Sequence, residues 1–102
     1  MIVHVHGQPV TLTPETIAAT RQWFIDNCRK CIAEAREYVA TGGKSGTRVN
    51  DLDRYVAWRE ESIAYFEAGK GDRGLAFVQR AVALQTGECV PLLAPPTTQA
   101  HA

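Results

Sequence analysis

The sequence predicts a mainly α protein: an N-terminal β-hairpin, then a three-helix bundle with a long first helix, then a flexible C-terminal tail. Three observations carry this prediction. Residues 14–40 hold an unbroken apolar pattern with helical periodicity. Two shorter segments with their own helical pattern, 51–68 and 73–86, are each followed by a glycine, Gly69 and Gly87, suited to ending a helix. Residues 2–12, IVHVHGQPVTL, alternate instead with the two-residue period of a strand.

Taking the elements in order, the first twelve residues read as a hairpin. A turn at Gly7-Gln8 with glycine first fits type II′. That register sets Val5 opposite Val10 and Val3 opposite Leu12, so all four share one face for burial, with His4 and Thr11 on the other. Pro9 argues against this turn, because it has no N–H to close it.

Thr13-Pro14-Glu15 is a helix start: a capping hydroxyl, proline at the first helical position and an acid in the first turn. At about 100° per residue, Ile17, Thr20, Phe24, Cys28, Cys31, Ile32, Ala35, Tyr38 and Val39 gather on one side. Asp26, Arg29, Lys30, Glu34, Arg36 and Glu37 gather on the other, and Arg21 alone breaks the division. The helix spans about 40 Å at about 1.5 Å per residue.

Residues 41–49, TGGKSGTRV, form a flexible connector. Asn50 is placed to cap the second helix and Asp72 the third. The chain from Val90 onward carries three prolines and no helical pattern, with Leu92 and Leu93 positioned to dock on the body. Residues 1–93 therefore read as a single helical domain and 94–102 as a disordered tail.

With 102 residues, 45% of them hydrophobic, the chain suits one globular domain burying roughly 60–70% of its unfolded surface. Lys+Arg and Asp+Glu are both 11, so net charge supplies no pull toward nucleic acid or an anionic membrane. The longest apolar runs fall well short of the ~20 residues of a membrane span. An odd set of cysteines, Cys28, Cys31 and Cys89, with no secretory signal pattern before them, reads as free thiols in a reducing cytoplasm.

Several familiar chemistries have their residue types in this sequence but not their context. Cys28-x-x-Cys31 and His4-x-His6 supply the ligand types of a Cys₂His₂ zinc site. The cysteines, however, lie inside a continuous helix on its core stripe, where small buried hydrophobes belong. A thioredoxin-like role needs such a pair at a helix N-terminus, and this pair sits more than ten residues into the helix. Gly42-Gly43-Lys44-Ser45 resembles the end of a phosphate loop, but Tyr38 occupies the position of its first glycine and the segment follows a helix, not a strand. No nucleophile–base pair is visible. The sequence therefore calls for no metal, no cofactor and no catalysis.

The unusual surfaces lie on the second and third helices. Leu52, Tyr55, Val56, Ile63 and Phe66 form the second helix's core stripe, with Arg59 in its middle. An arginine there must snorkel, pair with an acid or face a partner. Trp58 and Tyr65 share a side well off that stripe, close to Arg54 and Glu61, and exposed Trp, Tyr and Arg together are the composition of a binding hot spot. The competing reading is that the hairpin or tail covers them. On the third helix, Leu75, Val78 and Val82 make one face and Phe77, Ala81 and Leu84 nearly the opposite one. A helix apolar on two sides is either central or shared with another chain. Arg54, Trp58, Arg59, Tyr65, Phe77 and Leu84 are thus the candidate partner-binding residues.

These features point to a small non-catalytic protein-interaction module whose partner is another protein, itself as a homodimer, or both. Size, glycine-rich connector and irregular tail also suit a phage or mobile-element accessory protein that inhibits host machinery such as a defence complex. The alternative is a nucleic-acid-binding accessory protein using Lys44, Arg48, Arg54, Lys70 and Arg73 as a phosphate-contacting rim. Zero net charge and the absence of a helix-turn-helix signature stand against it.

Overall fold

The structure is a computed structural model that describes residues 1–87. It contains an antiparallel hairpin of β1 (Ile2–Val5) and β2 (Gln8–Thr11), then α1 (Pro14–Ala40), α2 (Leu52–Glu67) and α3 (Leu75–Thr86). The fold class is mainly α with an N-terminal hairpin and a long first helix, as the periodicities predict. The proposed docking of Leu92 and Leu93, the disorder of 94–102, and Cys89 lie outside the described residues.

The hairpin register corrects the sequence reading. Val3 pairs with Val10, His4 with Pro9 and Val5 with Gln8, so the turn is His6-Gly7 and not Gly7-Gln8. Both turn residues have positive φ, 51° and 78°, the signature of a type I′ turn. Proline is the physical reason. Leu12 N donates to Met1 O at 2.7 Å, and antiparallel bonding alternates from there. Pro9 therefore falls in a non-hydrogen-bonded pair, where its missing N–H costs nothing. The correction moves the register by two residues, which preserves the faces. Val3 and Leu12 are buried and Val5 and Val10 half-buried, while Ile2, His4, Pro9 and Thr11 are exposed.

α1 begins as its sequence predicts, with Thr16 N donating to Thr13 Oγ1 at 3.1 Å. It ends in a Schellman motif: Gly43 N donates to Tyr38 O at 2.8 Å and Gly42 N to Val39 O at 3.2 Å, with Gly42 at φ 67°. The caps of the other two helices differ from expectation. Asp51, not Asn50, caps α2, its Oδ1 accepting from Arg54 N at 3.2 Å. Gly74, not Asp72, stands at the N-cap of α3 and has no side chain with which to make a capping bond, while Asp72 bonds to Arg21.

Contacts along the chain group into two compact units, Met1–Gln22 with the described residues from Gly69 on, and Trp23–Ala68. α1 runs through both. In the first unit the core consists of Val3, Leu12, Thr20, Phe77, Val78, Ala81 and Val82. Thr20 is buried without penalty, its hydroxyl donating to Thr16 O at 2.7 Å. Gln85 clasps the strand-to-helix junction: its Nε2 donates to Thr11 O at 2.7 Å and its Oε1 accepts from Thr13 N at 3.0 Å. Arg21, the residue that breaks the helical pattern, is met by Asp72, whose Oδ1 accepts from Nε at 3.3 Å and Oδ2 from Nη2 at 2.5 Å. The bidentate bond to Asp72 raises the Arg21 pKa, overcoming the opposing effect of burial, with the charge of Asp72 adding to the rise.

In the second unit Ile25, Cys28, Ile32 and Ala35 are buried on α1. Ile25 was not on the predicted stripe, and Val39, which was, is 51% exposed. Phe24 of α1 stacks on Phe66 of α2 with ring centroids 4.9 Å apart, while Cys28, one turn further along α1, lies 4.0 Å from Arg59, two turns back along α2, so the two helices run antiparallel. The connector is not the free linker its composition suggests. Thr47 N donates to Glu34 O at 2.9 Å, Ser45 N to Thr41 Oγ1 at 3.1 Å, and Ser45 Oγ bonds to Glu37 Oε2. The segment folds back onto the end of α1, and Gly46, at φ 94°, lies against the α1 backbone where a side chain has no room.

Candidate interaction surface on α2

The surface is built on α2 by helical geometry alone. Seven residues make almost two turns, so Arg54 and Glu61, and likewise Trp58 and Tyr65, share one side of the helix. Asp51 starts the helix one turn before Arg54, which sets the phase. No residue of α2 is fully buried. Its stripe residues Leu52, Tyr55, Val56, Arg59, Ile63 and Phe66 are half-buried against the unit's interior, and Trp58 and Tyr65 remain 54% and 49% exposed. Neither Arg54 nor Glu61 forms an ion pair among the described residues.

Arg59 organises this side. Its guanidinium carbon lies 4.4 Å from the centre of the Trp58 ring and 5.4 Å from that of Tyr55. Nε donates to the Tyr55 hydroxyl at 3.2 Å, and Nη1 lies 4.0 Å from Cys28 Sγ. Burial pushes the Arg59 pKa down, but the Tyr55 hydrogen bond and the proximity of Cys31, Tyr55 and Cys28 outweigh it, and the net direction is up. Of the options open to Arg59, an acid partner is not the one taken among the described residues: aromatic rings and sulfur receive it, a permitted environment for a weakly hydrated planar cation. The Tyr55 and Trp58 rings meet edge to face at 5.7 Å, so indole, phenol and guanidinium brace one another.

Between Trp58, Glu61, Ser62, Tyr65 and Phe66 lies a shallow groove of about 350 Å³. A second groove of about 250 Å³ is lined by Arg29, Ile32, Ala33, Arg36, Glu60 and Ile63. The lining of the first groove comes from α2 alone, and the tail offered as a cover for Trp58 and Tyr65 lies outside the described residues.

The structure divides the six predicted residues. Arg54, Trp58, Arg59 and Tyr65 come together on α2. Phe77 does not present itself to a partner; it is 2% exposed and belongs to the core of the first unit. The two apolar sides read on α3 are one wide buried face, Phe77, Val78, Ala81 and Val82, with Leu75 and Leu84 at its edges, 40% and 51% exposed. Leu84 lies in the first unit and Trp58 in the second. Sequence reasoning missed the exposed Trp23, 40% accessible, whose edge meets Phe24 at 5.0 Å. Its place off the α1 stripe was the available signal.

Cys28 is buried and Cys31 half-buried, both as free thiols, while His4 and His6 are exposed on the hairpin. No three His, Cys, Asp or Glu side chains gather in a metal-binding cluster among the described residues. Lys44, Arg48, Arg54, Lys70 and Arg73 are all exposed, three in the second unit and two in the first. No described helix is long and apolar enough to cross a membrane. Compared with family models, curated proteins and solved structures, the chain matches none.

Proposed function

We propose that the chain is a small non-catalytic protein-interaction module that binds through the outer side of α2, with Trp58 at the centre of the contact. The observation that carries this reading is an indole 54% exposed and yet braced by a guanidinium 4.4 Å from its ring. Docking onto a mobile surface side chain loses about 0.5–1.5 kcal/mol of conformational freedom, a cost reduced when the side chain is already held. Trp, Tyr and Arg are also the residues on which binding energy concentrates. Tyr65, Arg54 and the adjoining groove extend the same surface along the helix.

The test is site-specific photocrosslinking in cells that express the chain. A photoreactive phenylalanine analogue replaces Tyr65 in one variant and Lys30, on the charged side of α1, in another. The expected result is a discrete protein adduct from position 65 and none of comparable yield from position 30. Equal yields at the two positions, or no adduct at 65, would remove the case for this surface.

A further inference from the structure

The outer side of α2 carries its own complement. Arg54 and Glu61 are opposite charges without an ion-pair partner among the described residues, separated by two turns, or about 10 Å along the axis, with Trp58 between them. A two-fold axis crossing the helix beside Trp58 would set Arg54 of each helix opposite Glu61 of the other. The same operation would bring the two Trp58 indoles together near the axis. Parallel pairing would set like charges opposite one another, so the charge pattern selects the antiparallel arrangement.

We infer that the partner on this surface is a second copy of the chain, bound through an antiparallel α2–α2 contact centred on Trp58. This rests on the reading of α2 as an interaction surface and names its occupant. Charge complementarity is joined by an argument from layers. Within the second unit, α1 and α2 form a two-helix hairpin in which α2 buries no residue completely. Two such hairpins facing each other through α2 make a four-helix arrangement, the packing in which helices of this kind cover both flanks. An isologous contact also needs no net charge on either partner, in keeping with equal numbers of acidic and basic residues.

The experiment is the solution mass of the full chain, measured by sedimentation across a wide concentration range, for the native protein and for Arg54→Glu, Glu61→Arg and Trp58→Ala. The native chain should approach twice its 11.2 kDa mass as concentration rises. Each charge reversal places like charges across the axis and should weaken self-association at least about tenfold. Trp58→Ala should weaken it about thirtyfold. Mixing Arg54→Glu with Glu61→Arg in equal amounts restores both ion pairs and should restore dimer, a rescue that loss of folding could not produce. A native chain that stays monomeric throughout, a dimer insensitive to both reversals, or reversals that fail to rescue each other would overturn the inference. The Tyr65 crosslink separates the two readings: an adduct with a different protein from a monomeric chain removes the second copy and leaves the interaction surface standing.

Discussion

The guanidinium of Arg59 lies 4.4 Å from the centre of the Trp58 ring, and the pair holds an exposed indole in place on a helix that buries none of its residues completely. Charge and aromaticity here serve local order first. If this contact sets the geometry of the surface, removing the guanidinium should loosen Trp58 before it unfolds the chain. Arg59→Met keeps the aliphatic stem and loses the cation. It should cost about 1 kcal/mol in urea denaturation. In a Trp23→Phe background it should also lower the fluorescence anisotropy of the remaining tryptophan. Arg59→Lys should resemble Met rather than the native chain, because an ammonium cannot stack as a plane. Anisotropy unchanged in both variants would show that Trp58 is held by other contacts.

Phe77 and Trp58, both candidates for partner contact by sequence, should respond oppositely to truncation. Phe77→Ala opens a cavity in the core of the first unit and should cost about 3–5 kcal/mol. Trp58→Ala removes an exposed ring and should cost less than about 1 kcal/mol. Thermal or chemical unfolding of the two variants side by side checks the contrast; similar costs would contradict the burial difference between them.

The Arg21–Asp72 pair is partly buried and bidentate, so its worth should exceed that of an open surface pair. Arg21→Ala and Asp72→Ala should each cost about 1–2 kcal/mol, and the double variant should cost little more than either single one. The pH dependence follows from the raised Arg21 pKa. A cation whose pKa rises on folding stabilises fully below its unfolded pKa and loses that stabilisation only as pH climbs through the folded value. For a guanidinium that window is strongly alkaline. The arginine side of the pair should therefore add no slope to the stability profile between about pH 6 and 9. A slope there that disappears in Arg21→Ala would refute the assignment.

Gly46 should tolerate substitution far worse than Gly42. Both have positive φ, 94° and 67°, so alanine is strained at either, by about 1–2 kcal/mol. At Gly42 a Cβ meets open space, whereas at Gly46 it runs into Glu34 O and Tyr38 N of α1. Gly46→Ala should add a steric cost of about 1–3 kcal/mol and free the connector from α1. Hydrogen exchange at Thr47, whose N–H donates to Glu34 O, reads this directly. Equal exchange at Thr47 in the two variants would contradict the close approach.

Which segments are helix and which strand could be read from residue order alone, because periodicity, a capping hydroxyl and terminal glycines are local signals. The span of α1, the shared face of Val3, Val5, Val10 and Leu12, and the grouping of Trp58, Tyr65, Arg54 and Glu61 were all legible that way. Whatever depended on a partner distant along the chain emerged only with folding. Asp72 looked like a helix cap until Arg21 claimed it, and Gln85 showed no sign that it would clasp Thr11 and Thr13. α3 looked apolar on two sides, with Phe77 on the second, because a helical wheel shows which residues share a side but not how wide a neighbour's coverage will be. Even the hairpin turn, a local feature, was settled by where a proline's missing N–H would do least harm. Arg59 follows the same logic: its place in the stripe was written in the sequence, whereas the rings and the sulfur that receive it were brought there by folding.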